Sequence, residues 1–232
     1  MDKKEAIKII LECAKLYNKN LSNKNIMFVC RNKKQQLFAF EVLFLPRNFL
    51  HLTGVKITNK DINSSIKFYR ACLNNKLSIS DFKYSEDGTT IIKLRILKQV
   101  MNLHKVSKMF GEYNHTKPYL FTEKATGNVV ACIGFIDESG FYVPNTALKE
   151  DIRDITTEDS RSTIIYTFVK NVEEKLYSNL TYIANSYNLE KLLQNQKILT
   201  KIDLADIKVE ANNCILNDFI RELKEKLKNT DA

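Results

Sequence analysis

The chain has 232 residues, 44% of them hydrophobic, with only 6 Gly and 3 Pro, so it can build a sizeable core with few breaks in regular structure. Its charge of +9 is unevenly held: residues 1–110 carry 21 Lys and Arg against 8 Asp and Glu, and residues 111–232 carry 15 against 19. No apolar run approaches the roughly 20 residues of a membrane span. No signal core is read at the amino terminus. Five scattered cysteines without a CxxC pair point to free thiols in a reducing cytoplasm, not to disulfides or structural zinc.

Ala6, Ile7, Ile10, Leu11 and Ala14 follow helical spacing and predict a helix over 3–17. Residues 26–31 and 37–45 are β-branched and aromatic runs about a polar turn, the pattern of a hairpin that Pro46 ends. Phe49–Val55 reads as a third strand with Gly54 near its end. Thr58 with Asp61 reads as a capping box ahead of a helix to about Asn75. Gly88 precedes a longer helix whose apolar side runs from Ile92 to Phe110 and whose polar side carries Lys93, Arg95 and Lys98. Beyond Gly111 both charge and periodicity change. Tyr119–Thr122, Val129–Phe135, Phe141–Val143 and Ser162–Val169 read as strands, and 173–194 and 216–228 as helices.

These patterns predict an α+β protein. Residues 1–193 form one domain with a change of layer near 111, and residues 194–232 form a carboxy-terminal helical appendage. A segregated positive field concentrates polyanions, which makes the amino-terminal half the expected face for nucleic acid. A Lys-rich solvated surface is the alternative.

Motifs for a phosphate loop, a serine hydrolase elbow, a zinc protease and a dinucleotide fold are all absent, which disfavours those classes. Glu150, Asp151 and Asp154 could converge on a metal, but Arg153 among them suits a helix start better. Of three histidines, His104 and His115 lack ligand-spaced neighbours. In a strand, His51 and Thr53 would share a face beside Gly54, where a backbone approaches closely. Lys56 follows. The competing reading is a histidine that ties down a strand edge. RNA cleavage through the 2′-hydroxyl needs a base, an acid and cations, but no metal. His51, Thr53, Lys93, Arg153 and Lys170 supply that inventory.

Phe49-Leu50-His51-Leu52-Thr53-Gly54-Val55, followed by Phe68-Tyr69, forms one recognisable block. Thr122–Gly127, Ile133-Gly134-Phe135 and Tyr142–Arg153 form a second. Together, over roughly residues 26–183, they resemble a phage-associated family of barnase–EndoU–colicin–RelE-like nucleases, the fourth phage-borne group. The resemblance implies helices packed on an antiparallel sheet and a metal-independent, toxin-like endoribonuclease of a phage, prophage or other mobile element. It needs no cofactor, and its partners would be RNA and an antitoxin or host protein. It places His51 and Thr53 in the site, with Asn145 and Arg153 of the second block lining it; on the residues' own chemistry, Lys93 and Arg153 would stabilise charge. Lys56, Lys124, Tyr142, Asn145 and Lys170 would bind substrate. Two other functions fit the residues: a non-enzymatic nucleic-acid- or host-factor-binding protein, and an ADP-ribosyltransferase-like enzyme.

Overall fold

A computed structural model describes residues 1–116, 120–209 and 214–230. The amphipathic first segment forms α1 (Lys3–Asn20), started by the Asp2 carboxylate, which accepts from the Glu5 amide at 2.7 Å. The alternating runs form β1 (Lys24–Arg31) and β2 (Leu37–Phe44), paired antiparallel from Lys24↔Phe44 to Arg31↔Leu37. After a 3₁₀ turn at Pro46–Asn48 come α2 (Phe49–Thr53), β3 (Val55–Ile57), α3 (Ser65–Leu73), β4 (Phe82–Tyr84) and α4 (Thr89–Val100). Then follow α5 (Leu103–Val106), β5 (Met109–Glu112), β6 (Lys124–Gly127), β7 (Cys132–Glu138) and β8 (Phe141–Leu148). The chain continues through α6 (Ile152–Ile155), β9 (Ser162–Asn171), β10 (Asn179–Ile183), α7 (Leu189–Leu193), α8 (Gln196–Leu199), β11 (Lys208–Val209) and α9 (Cys214–Thr230).

The mixed α+β class is as expected, but the sheet is more than an antiparallel layer. Seven strands run in the order β1-β2-β8-β7-β6-β5-β9, and β9 pairs back with β1, closing a barrel. One step is parallel: β8 meets β2 at the single pair Val42↔Tyr142. Outside the ring, β10 and the parallel β11 extend from β9.

Alternation along the strands sorts the core. Ile26, Phe28 and Cys30 of β1 face the interior with Phe40, Phe110, Phe135 and Ile164, and the apolar sides of α1, α3 and α4 continue that cluster. Met27 and Val29 face outward and pack with Tyr166, Phe168, Leu192, Ile198 and Phe219. A third cluster sets Ile152 and Ile155 of α6 against Ala125, Cys132 and Leu148.

Four local expectations are corrected. Phe49–Val55 is not a strand but α2 followed by β3. Ser64, not Thr58, caps α3, accepting from the Lys67 amide at 3.2 Å, while Thr58 ties to the Ser80 carbonyl. Phe110 lies in β5, because the long helix ends at Val100. Residues 179–183 form β10 where a helix was expected, since β9 offers them an edge to pair with. The expected strand at Tyr119–Thr122 begins outside the described residues.

Candidate functional site

The phrase around His51 folds as a helix for readable reasons. The Asn48 carboxamide accepts from the Leu45 amide at 2.9 Å and fixes the turn that starts it. Phe49, Leu52 and Thr53 are buried at helical spacing i, i+3, i+4, and His51 is left exposed. Gly54 ends the helix at φ 70°, a left-handed conformation suited to glycine. In a helix, residues two apart point to nearly opposite sides, so His51 and Thr53 do not share a face. Thr53 is fully buried, and its hydroxyl donates to the Leu50 carbonyl at 2.7 Å and accepts from the Val55 amide at 3.3 Å. It holds the turn and presents nothing to solvent.

Lys93 of α4 comes to His51. Its Nζ donates to the His51 carbonyl at 3.3 Å, and its stem lies across Gly54, where a Cβ would stand 2.8 Å from the Lys93 Cδ. The contact is fixed from below: the Thr90 hydroxyl donates to the Gly54 carbonyl at 2.6 Å and accepts from the Ser85 amide at 2.8 Å. Crowding by the fold, then the Lys93 ammonium, lower the His51 pKa from 6.5, and Glu138 opposes them. Burial likewise lowers Lys93 from 10.5, against the pull of Asp87. Lys56, exposed on β3, helps Lys93 hold the Asp87 carboxyl below its usual range, after the hydrogen bonds from Thr89. Arg47, four residues before His51, forms an ion pair with Glu138 at the end of β7.

The remaining expected residues lie elsewhere. Asn145 is the extra residue where the β7–β8 register shifts, and its carboxamide is held by the Phe121 carbonyl and the Thr122 hydroxyl. Lys124 pairs with Glu112 at 2.6 Å, close enough to Tyr142 to act on its hydroxyl, whose pKa burial raises. The Tyr142 ring packs 5.1 Å from Phe40. Lys170 donates to the Lys175 carbonyl at 2.8 Å and lies over the Tyr177 ring. Arg153 grips Asp151, the cap of α6, and its carbonyl accepts from Arg161. Among the described residues it shares no polar partner with His51. The structure therefore joins His51 and Lys93, with Lys56 near, and adds Arg47, Asp87 and Glu138. Only Arg47 carried a sequence signal, its spacing of four from His51. Glu138 is brought in by the barrel.

A family model described as phage-Barnase-EndoU-ColicinE5/D-RelE like nuclease 4 matches residues 9–186. The chain belongs to this family. The match runs from α1 past β10 and so contains the whole barrel and the His51–Lys93 corner. No curated protein and no solved structure matches the chain. Among the described residues no helix is long and apolar enough to cross a membrane, and no three His, Cys, Asp or Glu side chains gather as metal ligands.

Proposed function

We propose that the protein is a metal-independent endoribonuclease of phage or other mobile-element origin, with His51 as its proton-transfer group. The observation that carries this reading is the exposed imidazole of His51 with the Lys93 ammonium tied to its own backbone carbonyl. A pKa below 6.5 leaves the imidazole unprotonated at neutral pH, the state a general base needs. His51 takes the proton of the 2′-hydroxyl. The 2′-oxygen attacks phosphorus, the bond to the 5′-oxygen breaks, and the imidazolium returns its proton to that leaving oxygen. Lys93 faces the charge that grows on the phosphoryl oxygens. Thr53 acts only by fixing the end of α2, and Arg153, Asn145 and Lys170 serve the scaffold.

The test is cleavage of single-stranded RNA in excess EDTA by wild type and by His51→Ala. Wild type is expected to cleave, and the variant to lose about 100-fold or more, the scale of general acid–base catalysis. Equal cleavage by the two proteins would end the assignment. Cleavage abolished by EDTA would end the metal-independent mechanism.

A further inference from the structure

The geometry points to a groove along the outer side of β2 that takes single-stranded RNA, a deepening that rests on the ribonuclease reading. Two adjoining cavities of about 600 Å³ each share Leu37, Phe38, Asn195 and Lys197 in their walls, so they form one channel between β2 and the α7–α8 segment. It lies open beside β2 because β8 reaches that strand only at Val42, leaving residues 37–41 without a strand on that side. The Asn195 carboxamide donates to the Leu37 carbonyl at 3.0 Å and pins the channel wall.

The lining selects its occupant. No Asp or Glu borders either cavity among the described residues, while Lys191, Lys197 and Lys201 do. Lys201 is committed to Glu41, but Lys191 and Lys197 are exposed and form no ion pair among the described residues. Gln35, Gln194 and Gln196 border the first cavity with side chains that make no hydrogen bond among the described residues. A carboxamide both donates and accepts, which matches the exposed edges of unpaired bases, and the lysines match phosphates. The Phe38 ring in the same walls is already packed edge-on against Phe110, 5.6 Å away, so recognition rests on the lysines and carboxamides. The other basic hollow, beside Arg95 and Lys98, is a weaker fit because Lys98 is already held by Glu12 at 2.5 Å.

The channel adjoins a further hollow through the Lys201–Glu41 pair. Glu41 lines a third cavity of about 220 Å³ with Tyr142 and Lys170. That cavity is bounded by Gly140 of the β7–β8 turn, and Glu138 in the same hairpin pairs with Arg47 beside α2.

The experiment uses His51→Ala protein, which holds RNA without cutting it, and a fluorescein-labelled single-stranded oligoribonucleotide read by anisotropy. Adding Lys191→Glu with Lys197→Glu is expected to weaken binding at least tenfold. It should also flatten the dependence of log affinity on log salt by about 1.4, or roughly 0.7 for each phosphate of the single strand that a lysine no longer neutralises. Gln194→Glu is expected to weaken binding without that double loss of slope. Unchanged affinity and slope in the lysine variant would overturn the groove, whatever His51→Ala does to cleavage. Groove-dependent binding by a wild-type protein that never cleaves would uphold the groove and remove the catalytic reading alone.

Discussion

The imidazole of His51 titrates against a lysine. Because the Lys93 ammonium is one of the two causes of its lowered pKa, Lys93→Met should raise that pKa back toward 6.5. The rate of RNA cleavage in wild type should fall as pH drops through the depressed value. In the variant the same acid limb should move to higher pH, on top of a lower rate at its plateau. An NMR titration of the His51 ring gives the shift independently of activity, and an identical pKa in both proteins would contradict the proximity of the two groups. The linked stability has a definite sign. The folded-state pKa lies below the unfolded one, so the unfolded chain takes up the proton first. The stability tied to His51 is therefore full above pH 6.5 and is lost as pH falls through the lowered value. The ring is exposed, so that contribution is small.

At the scale of elements, the hinge between α2 and β3 controls where these two residues meet. Gly54→Ala places a Cβ at φ 70° and within 2.8 Å of Lys93 Cδ. The left-handed backbone alone costs roughly 1–2 kcal/mol, measurable as a lower urea midpoint at unchanged m. Displacement of the Lys93 stem should lower activity beyond what that loss of stability explains. The same segment marks where the sequence was hard to read. The α1 helix and the β1–β2 hairpin carry long, single-period patterns with neighbouring partners, and both formed as expected. Five residues, Phe49 to Thr53, fit alternation and helical spacing alike. The burial of Phe49, Leu52 and Thr53 and the closing Gly54 decide for helix. Residues 179–183 turned to strand because β9 was there to pair with, which no local pattern states. Barrel closure through β1 and β9 joins Met27 to Phe168, and no neighbouring-residue signal reaches that far. The site follows the same rule: His51 stands out in a chain with three histidines, Lys93 is readable as a helix-borne cation of the same inventory but not as the neighbour of His51, and the Arg47–Glu138 pair exists only once the barrel has formed.

For the whole molecule, the outward face of the barrel depends on the end of the chain. Phe219 of α9 is fully buried, with its ring 5.7 Å from Tyr166 on β9 and 5.8 Å from Tyr187. Leu223 lies one turn further on in the same cluster, which also holds Met27 and Val29 of β1. The helix is thus packed onto strands that carry the barrel closure. Phe219→Ala should cost about 3–5 kcal/mol, the range for emptying a buried aromatic site. Against a typical domain stability of roughly 5–15 kcal/mol that is a large share. If α9 is energetically part of the barrel, thermal unfolding followed by tyrosine fluorescence and by far-ultraviolet circular dichroism will show one transition, displaced downward in both signals. A main transition that stays in place while only a small helical signal melts early would mean that α9 folds on the barrel without supporting it. The RNA groove would feel the difference as well, because one of its walls is built from α7 and α8, which pack in the same cluster through Leu192 and Ile198. Phe219→Ala should therefore weaken RNA binding under conditions where the barrel itself is still folded, and a variant that binds as tightly as wild type would show that the wall stands without α9.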